Sequence, residues 1–269
     1  MPKLPKLPAP PLPAALQAPP PRPGQSGKGG PIEDAKEAGI SVVDWVDERT
    51  SLSGAGRWLL FRKVPKGTNW FYTLGSATMF AFLSQAVTGV FLAMYYRPDP
   101  AGGAYESIRH VTNEVFLGQF VRGMHKWGSS VMVILIFLHM GRTFFFGAYK
   151  YPRELNWVIG VVLLILTMVM SFTGYLLPFD QRAYWATIVG VNINGTGPLI
   201  GPYLSDFLRG GGEFGATTLS RFYAIHMLLI PGLLAALIGF HLYLVAKLGT
   251  TAPPWQKAEE RPELREAEA

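Results

Sequence analysis

The stretch Gly123-Met-His-Lys-Trp-Gly-Ser-Ser-Val-Met-Val-Ile-Leu-Ile-Phe-Leu-His-Met-Gly-Arg142 carries two histidines, His125 and His139, fourteen residues apart inside an apolar run. In an α-helix the second falls within about 40° of the first and about 21 Å farther along the axis. Both imidazoles therefore share one helix face at two depths. Ala224 to Lys247 repeats the arrangement, with His226 and His241 fifteen residues apart and still roughly on one face. Of the five histidines in the chain, four form these two pairs.

Working outward, composition narrows the class. The 269 residues include no cysteine, which excludes disulfides, thiolate metal sites, iron–sulfur ligation and thioether-linked haem on this chain. Hydrophobic residues make up 49% and charged residues 16%, against about 25% charged in soluble domains. This is the composition of a membrane protein. The net charge of +6 is spread among loop segments and reads as topological and headgroup charge, not as a nucleic-acid patch.

Four apolar runs are long enough to cross a hydrocarbon core of about 30 Å. They lie at about residues 70–96, 123–146, 157–177 and 219–248. Trp70, Phe71 and Tyr72 open the first and Tyr95 and Tyr96 close it, as interfacial aromatics do. Basic residues mark one side three times: Arg57, Arg62, Lys63 and Lys66 before span one, Arg142, Lys150 and Arg153 between spans two and three, and Lys247 and Lys257 after span four. The positive-inside rule puts that side, with both termini, in the cytoplasm. The opposite side carries longer connections, 98–122 and 178–220. The latter is too long for a structureless loop and is expected to hold short helices near 181–189 and 199–208. His110 is read as a solvated loop histidine.

The chain divides into four parts. Residues 1–32 hold a proline-rich tail that cannot build a core, with eleven of the 22 prolines by residue 31. Residues 33–66 are a linker with an amphipathic surface helix over 33–53, Ile40, Val43, Trp45 and Val46 toward lipid and Asp44, Asp47, Glu48 and Arg49 toward water. Residues 67–250 are the membrane domain, and 251–269 a charged tail. The expected fold is all-α: a transmembrane four-helix haem-binding bundle with an N-terminal amphipathic surface helix.

An ionisable side chain at membrane depth is costly and marks function by default. A single buried histidine is adequately explained by a hydrogen bond to a neighbouring helix; two pairs at matched spacing are not. Spans two and four run in the same direction, so His125 faces His226 and His139 faces His241. Each pair can supply both axial ligands of a b-type haem, with two irons about 20 Å apart along the membrane normal and macrocycle edges close enough for electron tunnelling. Zinc is the weaker reading, since it wants four convergent ligands. Small residues admit a flat ring between helices. Gly75 and Gly89 on span one, and Gly160 and Gly174 on span three, are each fourteen apart and are candidates to lie beside the haems. Haem propionates need cations: Arg122, Lys126 and Arg142 flank the histidines, although each is also explained as a snorkelling interfacial charge.

The chain also resembles, from about Val43 to Lys247, the N-terminal four-helix part of cytochrome b from the cytochrome bc and bf quinol-oxidising complexes. The resemblance rests on Asp44-Trp45, Glu48-Arg49, Phe71-Tyr72, Thr88-Gly89, Arg122 with His125, His139 with Arg142, Pro152-Arg-Glu-Leu155, Gly174-Tyr175, Pro178-Phe-Asp-Gln181, Tyr184-Trp185, Leu208-Arg-Gly210 and Arg221-Phe-Tyr-Ala-Ile-His226. The fifteen-residue interval in span four, and a chain ending just after it, are similar to the split, chloroplast-like bf form.

The resemblance implies a di-haem subunit of a quinol:cytochrome c, or plastocyanin-like acceptor, oxidoreductase, incomplete on its own. The His125/His226 haem would be the lower-potential one beside an outer quinol-oxidation site. The His139/His241 haem would be the higher-potential one beside a cytoplasmic quinone-reduction site. One electron of quinol would go to a Rieske-type iron–sulfur protein and the other across the two haems, with protons released outside and taken up inside. Gly174 to Tyr184 would belong to the quinol site, where Asp180, Gln181 and Tyr184 are the candidate catalytic residues, although loop structure explains them nearly as well. Implied partners are a companion subunit supplying the remaining helices, the Rieske protein, a cytochrome c-type subunit, quinone and membrane lipid, in a dimeric complex of a prokaryotic cytoplasmic membrane. Two departures stand out. Thr73 takes the place of the cysteine that holds an extra haem in bf-type proteins, which rules out covalent attachment and leaves a non-covalent third haem open. Ala246-Lys247 replaces a common Arg-Lys near the cytoplasmic quinone pocket.

Two other readings share some of these features. A haem-b membrane anchor of a dehydrogenase or hydrogenase also wants four histidines, but not the Pro178–Gln181 loop. A non-redox scaffold or transporter with buried histidines would show no haem spectrum.

Overall fold

A computed structural model describes residues 42, 44–50 and 66–255. The chain forms two compact units, Met1–Arg62 and Lys63–Ala269. In the first, residues 44–50 are helical, with Asp44, Trp45, Glu48 and Arg49 exposed and Val46 and Asp47 half-buried. Arg49 folds back on its own helix, its guanidinium 4.2 Å from the Trp45 ring centroid. The expected lipid-facing Ile40 and Val43, and the two tails at 1–32 and 256–269, lie outside the described residues.

The second unit is built on four apolar spans, Trp70–Ala93, Gly118–Phe145, Glu154–Leu176 and Ala216–Leu248. All its regular elements among the described residues are helical: α1 (Leu74–Ala93), α2 (Gly103–Asn113), α3 (Gly118–Phe145), α4 (Glu154–Leu176), α5 (Gln181–Gly195), α6 (Gly201–Arg209), α7 (Ala216–Ala224) and α8 (Ile230–Leu248). A 3₁₀ turn, Trp70–Thr73, leads into α1, and a π-turn, Ile225–Leu229, joins α7 to α8 into one continuous span. A span in lipid must satisfy its backbone internally. Hydroxyls that would compete with helix bonds in water therefore fold back on their own helix: Thr78 donates to Leu74 O, Thr143 to His139 O and Thr167 to Leu163 O.

Two close pairings organise the unit, α1 with α3 and α4 with α8. Between α1 and α3 the core is Ala81, Met132 and Ile136. A larger cluster, including Leu176, Leu219, Phe222, Ile230 and Leu234, lies where α4, α7 and α8 meet. The histidine-bearing helices α3 and α8 are not among the closely packed pairs. Each packs against a glycine-bearing neighbour.

The connections differ in detail from the sequence reading. Span two begins at Gly118, five residues before the expected start, so Arg122 is inside the helix. A Cβ at Gly118 would collide with the Val111 carbonyl, which is how α2 turns so tightly into α3. His110 is not a loop residue: it sits in the last turn of α2, with Nδ1 2.8 Å from Glu114 Oε2 on the exposed face. The expected helix at 181–189 runs on to Gly195, and the one at 199–208 starts at Gly201.

Candidate functional site

The four intramembrane histidines form two tiers. The His125 and His226 rings face each other with centroids 6.4 Å apart and planes at 76°. His139 and His241 lie within electrostatic reach of each other in the second tier.

Hydrogen bonds fix the first tier's tautomers. Thr88 Oγ1 donates to the Ser84 carbonyl at 2.7 Å, so its lone pair is left to accept the His125 Nδ1–H at 2.9 Å. His226 Nδ1 lies 3.0 Å from the Met170 carbonyl and 3.2 Å from Thr173 Oγ1, whose own hydroxyl donates to that same carbonyl. With Nδ1 protonated on both rings, each Nε2 carries a free lone pair, the state a metal ligand requires. In the second tier, His139 Nδ1 and His241 Nδ1 are buried without a partner. The Asn156 main chain lies beside His241 but does not reach hydrogen-bond geometry.

Each imidazole is backed by one of the four glycines. A Cβ at Gly75 would stand 3.1 Å from His139 Cε1, one at Gly89 3.3 Å from His125 Cε1, and one at Gly160 3.8 Å from His241 Cε1. A Cβ at Gly174 would overlap the His226 ring. The glycines of α1 thus seat the histidines of α3, and those of α4 seat His226 of the π-turn and His241 of α8. Their fourteen-residue spacing is the spacing of the tiers.

The three candidate cations separate. Arg142 is half-buried with its guanidinium 3.8 Å above the Tyr72 ring, and its Nε and Nη2 are enclosed without an acceptor. Buried guanidinium N–H groups demand one, and a carboxylate is the natural match. Arg122, also half-buried, reaches Thr112 Oγ1 at 3.4 Å. Lys126 is exposed, with its Nζ 5.9 Å from the Trp127 ring centroid, and is not drawn to the tier. Asp180 caps α5 by accepting Ala183 N–H at 2.8 Å, and Gln181 accepts Trp185 Nε1–H at 3.0 Å. Tyr184 is half-buried, edge-on to Phe179, Trp185 and Phe214. Thr88, Thr173 and the Met170 carbonyl were not anticipated as part of the site. The signal for the two threonines is the Thr-Gly dipeptide, present inside the spans at 88–89 and 173–174 and once outside them at 196–197.

Residues 60–249 match the family model described as Cytochrome b/b6/petB. The chain belongs to the cytochrome b family. It is 43% identical over 220 residues to the menaquinol:cytochrome c reductase cytochrome b subunit of Geobacillus thermodenitrificans, covering 79% of this chain and 98% of that protein. It is 42% identical over 215 residues to cytochrome b6 of Heliobacterium modesticaldum, covering 78% and 100%. Among solved structures it is similar to a chain of a hyperthermophilic respiratory Complex III, with a TM-score of 0.72 and 29% identity; the match covers 84% of this chain and 62% of that one.

The residues of this cytochrome b fit a bis-histidine haem on their own geometry. Two metal–nitrogen bonds of about 2 Å, plus the short distance from nitrogen to ring centre at each end, would fit the 6.4 Å between the His125 and His226 centroids. The glycine seats keep the imidazoles in place, and Arg142 offers unpaired donors to a carboxylate. A haem would need only the two histidines of a tier from this chain.

Replacing Thr88 by valine removes the acceptor that orients His125 and keeps the side chain's shape. Loss of such a partner weakens a metal site by about 10–100-fold. For a haem held between His125 and His226 the expected result is weaker binding and a shifted potential, read by redox titration against the unsubstituted protein.

Proposed function

We propose that this chain is the di-haem, electron-carrying cytochrome b subunit of a membrane quinol:cytochrome c oxidoreductase. The observation that carries the proposal is the facing pair His125 and His226 together with four imidazoles, each backed by a glycine, at two depths about 21 Å apart along the helices. When bound, each haem supplies a one-electron relay. The protein's part is to hold His125 and His226 at one depth and His139 and His241 at the other, to exclude water with apolar spans, and to present Arg122 and Arg142 to the propionates.

The relatives' names support a quinol donor and a c-type cytochrome acceptor. Lys66, Lys150, Arg153 and Lys247 support a cytoplasmic assignment for the His139/His241 end. By the same logic the His125/His226 tier lies toward the quinol-oxidising face, with Asp180, Gln181 and Tyr184 lining its outer pocket and quinone reduction at the cytoplasmic end. The enzyme is completed by a companion subunit with the remaining helices, a Rieske-type protein and a cytochrome c-type subunit, in a dimeric complex. Within this chain, residues 67–250 are the membrane domain, flanked by the tails and the surface helix.

A reduced-minus-oxidised spectrum of the purified protein tests this. Two b-type components titrating at different potentials are expected; a protein without b-type bands is not a cytochrome b in function.

Arg142→Gln removes the charge and most of the N–H fork. Charge-assisted bonds are worth about 1.5–3 kcal/mol each, so a marked loss of second-tier haem affinity is expected while the first tier is retained. Titrating haem occupancy of the variant during detergent washing checks it; equal retention in both tiers counts against the propionate role.

A further inference from the structure

The two histidine intervals do not match. His125 and His139 are fourteen apart and His226 and His241 fifteen. On regular helices the first interval leaves the rings about 40° apart and the second about 60° apart in the opposite sense, with a rise longer by about 1.5 Å. Two flat cofactors clamped between such helices would meet rings out of register by about 100° in one tier. Yet His125 and His226 face each other, and His139 and His241 are both seated on span glycines, at Gly75 and Gly160.

The explanation lies in the main chain at His226. Residues Ile225–Leu229 form a π-turn, and Ile230 N–H donates to the Ile225 carbonyl, five residues back. A π-turn takes up one more residue than an α-turn without advancing the helix face. Fifteen residues therefore act as fourteen. Pro231 follows immediately. It has no N–H for the Met227 carbonyl four residues back, or for the His226 carbonyl five back, and its ring crowds the former. The wider turn relieves that crowding, and the imidazole it carries is the one held by Met170 and Thr173 and seated on Gly174.

We propose that the π-turn Ile225–Leu229, backed by Pro231, is a register device that absorbs the fifteenth residue of the span-four interval and so brings both of its imidazoles to face span two. The π-turn and Pro231 are positioning elements: they touch no cofactor and act through His226. The proposal rests on the haem-ligand reading above.

Two single-residue deletions in the intact complex test it. Deleting Leu229, with both deletions made in a Pro231→Ala background so that no ring crowds the His226 carbonyl of the closed turn, lets the π-turn close into an α-turn. The interval becomes a regular fourteen, and both b-type haems are retained with parental low-spin EPR signals. Deleting Leu237, beyond the π-turn, removes the same residue type from the same span but swings His241 about 100° from its partner. That variant loses one haem per chain or fails to assemble. Equal behaviour of the two deletions, or haem loss or failed assembly in the Leu229 variant, overturns the proposal. His226→Ala in parallel separates the two levels: if it keeps both haems, the ligand reading itself falls, whereas if it loses one and the deletions behave alike, only the register device falls.

Discussion

His139→Ala is expected to halve the haem content, leaving one b-type haem per chain, and to abolish electron transfer from quinol across the membrane. His139 is one of the two glycine-seated imidazoles of its tier, and a haem held there by two histidines would lose half of its protein attachment with one of them. The His125/His226 tier is about 21 Å away, and its anchors, Thr88, Met170 and Thr173, make no use of His139. The surviving haem should therefore keep its spectrum and its midpoint potential. Haem-to-protein ratio and a redox titration on the assembled complex measure both effects. Loss of neither haem, or of both from a folded and assembled complex, contradicts the pairing. A merely structural histidine predicts a different outcome: a destabilised helix pair with the haem count unchanged.

Much of this architecture is legible in the residues because lipid imposes simple rules. A span must be apolar, helical and about twenty residues long, so four spans emerge from hydropathy, and a charged or titratable exception stands out against them. Helix geometry then converts intervals into faces. Arg122 and Arg142 lie three residues from His125 and His139, near the same face, and both are half-buried. Lys126 is one residue from His125, about 100° around the helix, and the structure turns it outward toward Trp127.

What was not legible depended on main-chain geometry or on partners distant in sequence. The amphipathic α2, rich in charge, scores as a loop on hydropathy although its Ala104, Ser107 and Val111 face is buried. The π-turn leaves only an odd interval as its trace. The fourteen-residue spacing places the glycines beside a macrocycle, and the structure adds that each backs an imidazole. The threonines beside two of them complete the seat for the first tier alone, and that asymmetry sits in dipeptides with no periodicity to reveal them.

Alanine at each glycine seat is expected to give a graded series, because two effects of similar size oppose each other. In a helix interior Gly→Ala is worth about 0.8–1 kcal/mol in favour of the helix. Overpacking a close contact costs about 1–3 kcal/mol. At Gly160 the new methyl would stand 3.8 Å from His241, an ordinary contact. The helix gain wins there, and Gly160→Ala should bind both haems with equal or better thermal stability. At Gly75 and Gly89, with 3.1 and 3.3 Å to the ring, the imidazole must yield by a few tenths of an ångström, and a shifted low-spin signal with haem retained is expected. At Gly174 the methyl would overlap the His226 ring, which cannot retreat without breaking its bonds to the Met170 carbonyl and Thr173. Overpacking wins, and Gly174→Ala should lose the His125/His226 haem while the other tier stays filled. Haem stoichiometry and EPR of the four variants decide the matter. If Gly160→Ala is as damaging as Gly174→Ala, the glycines serve some purpose other than seating the rings.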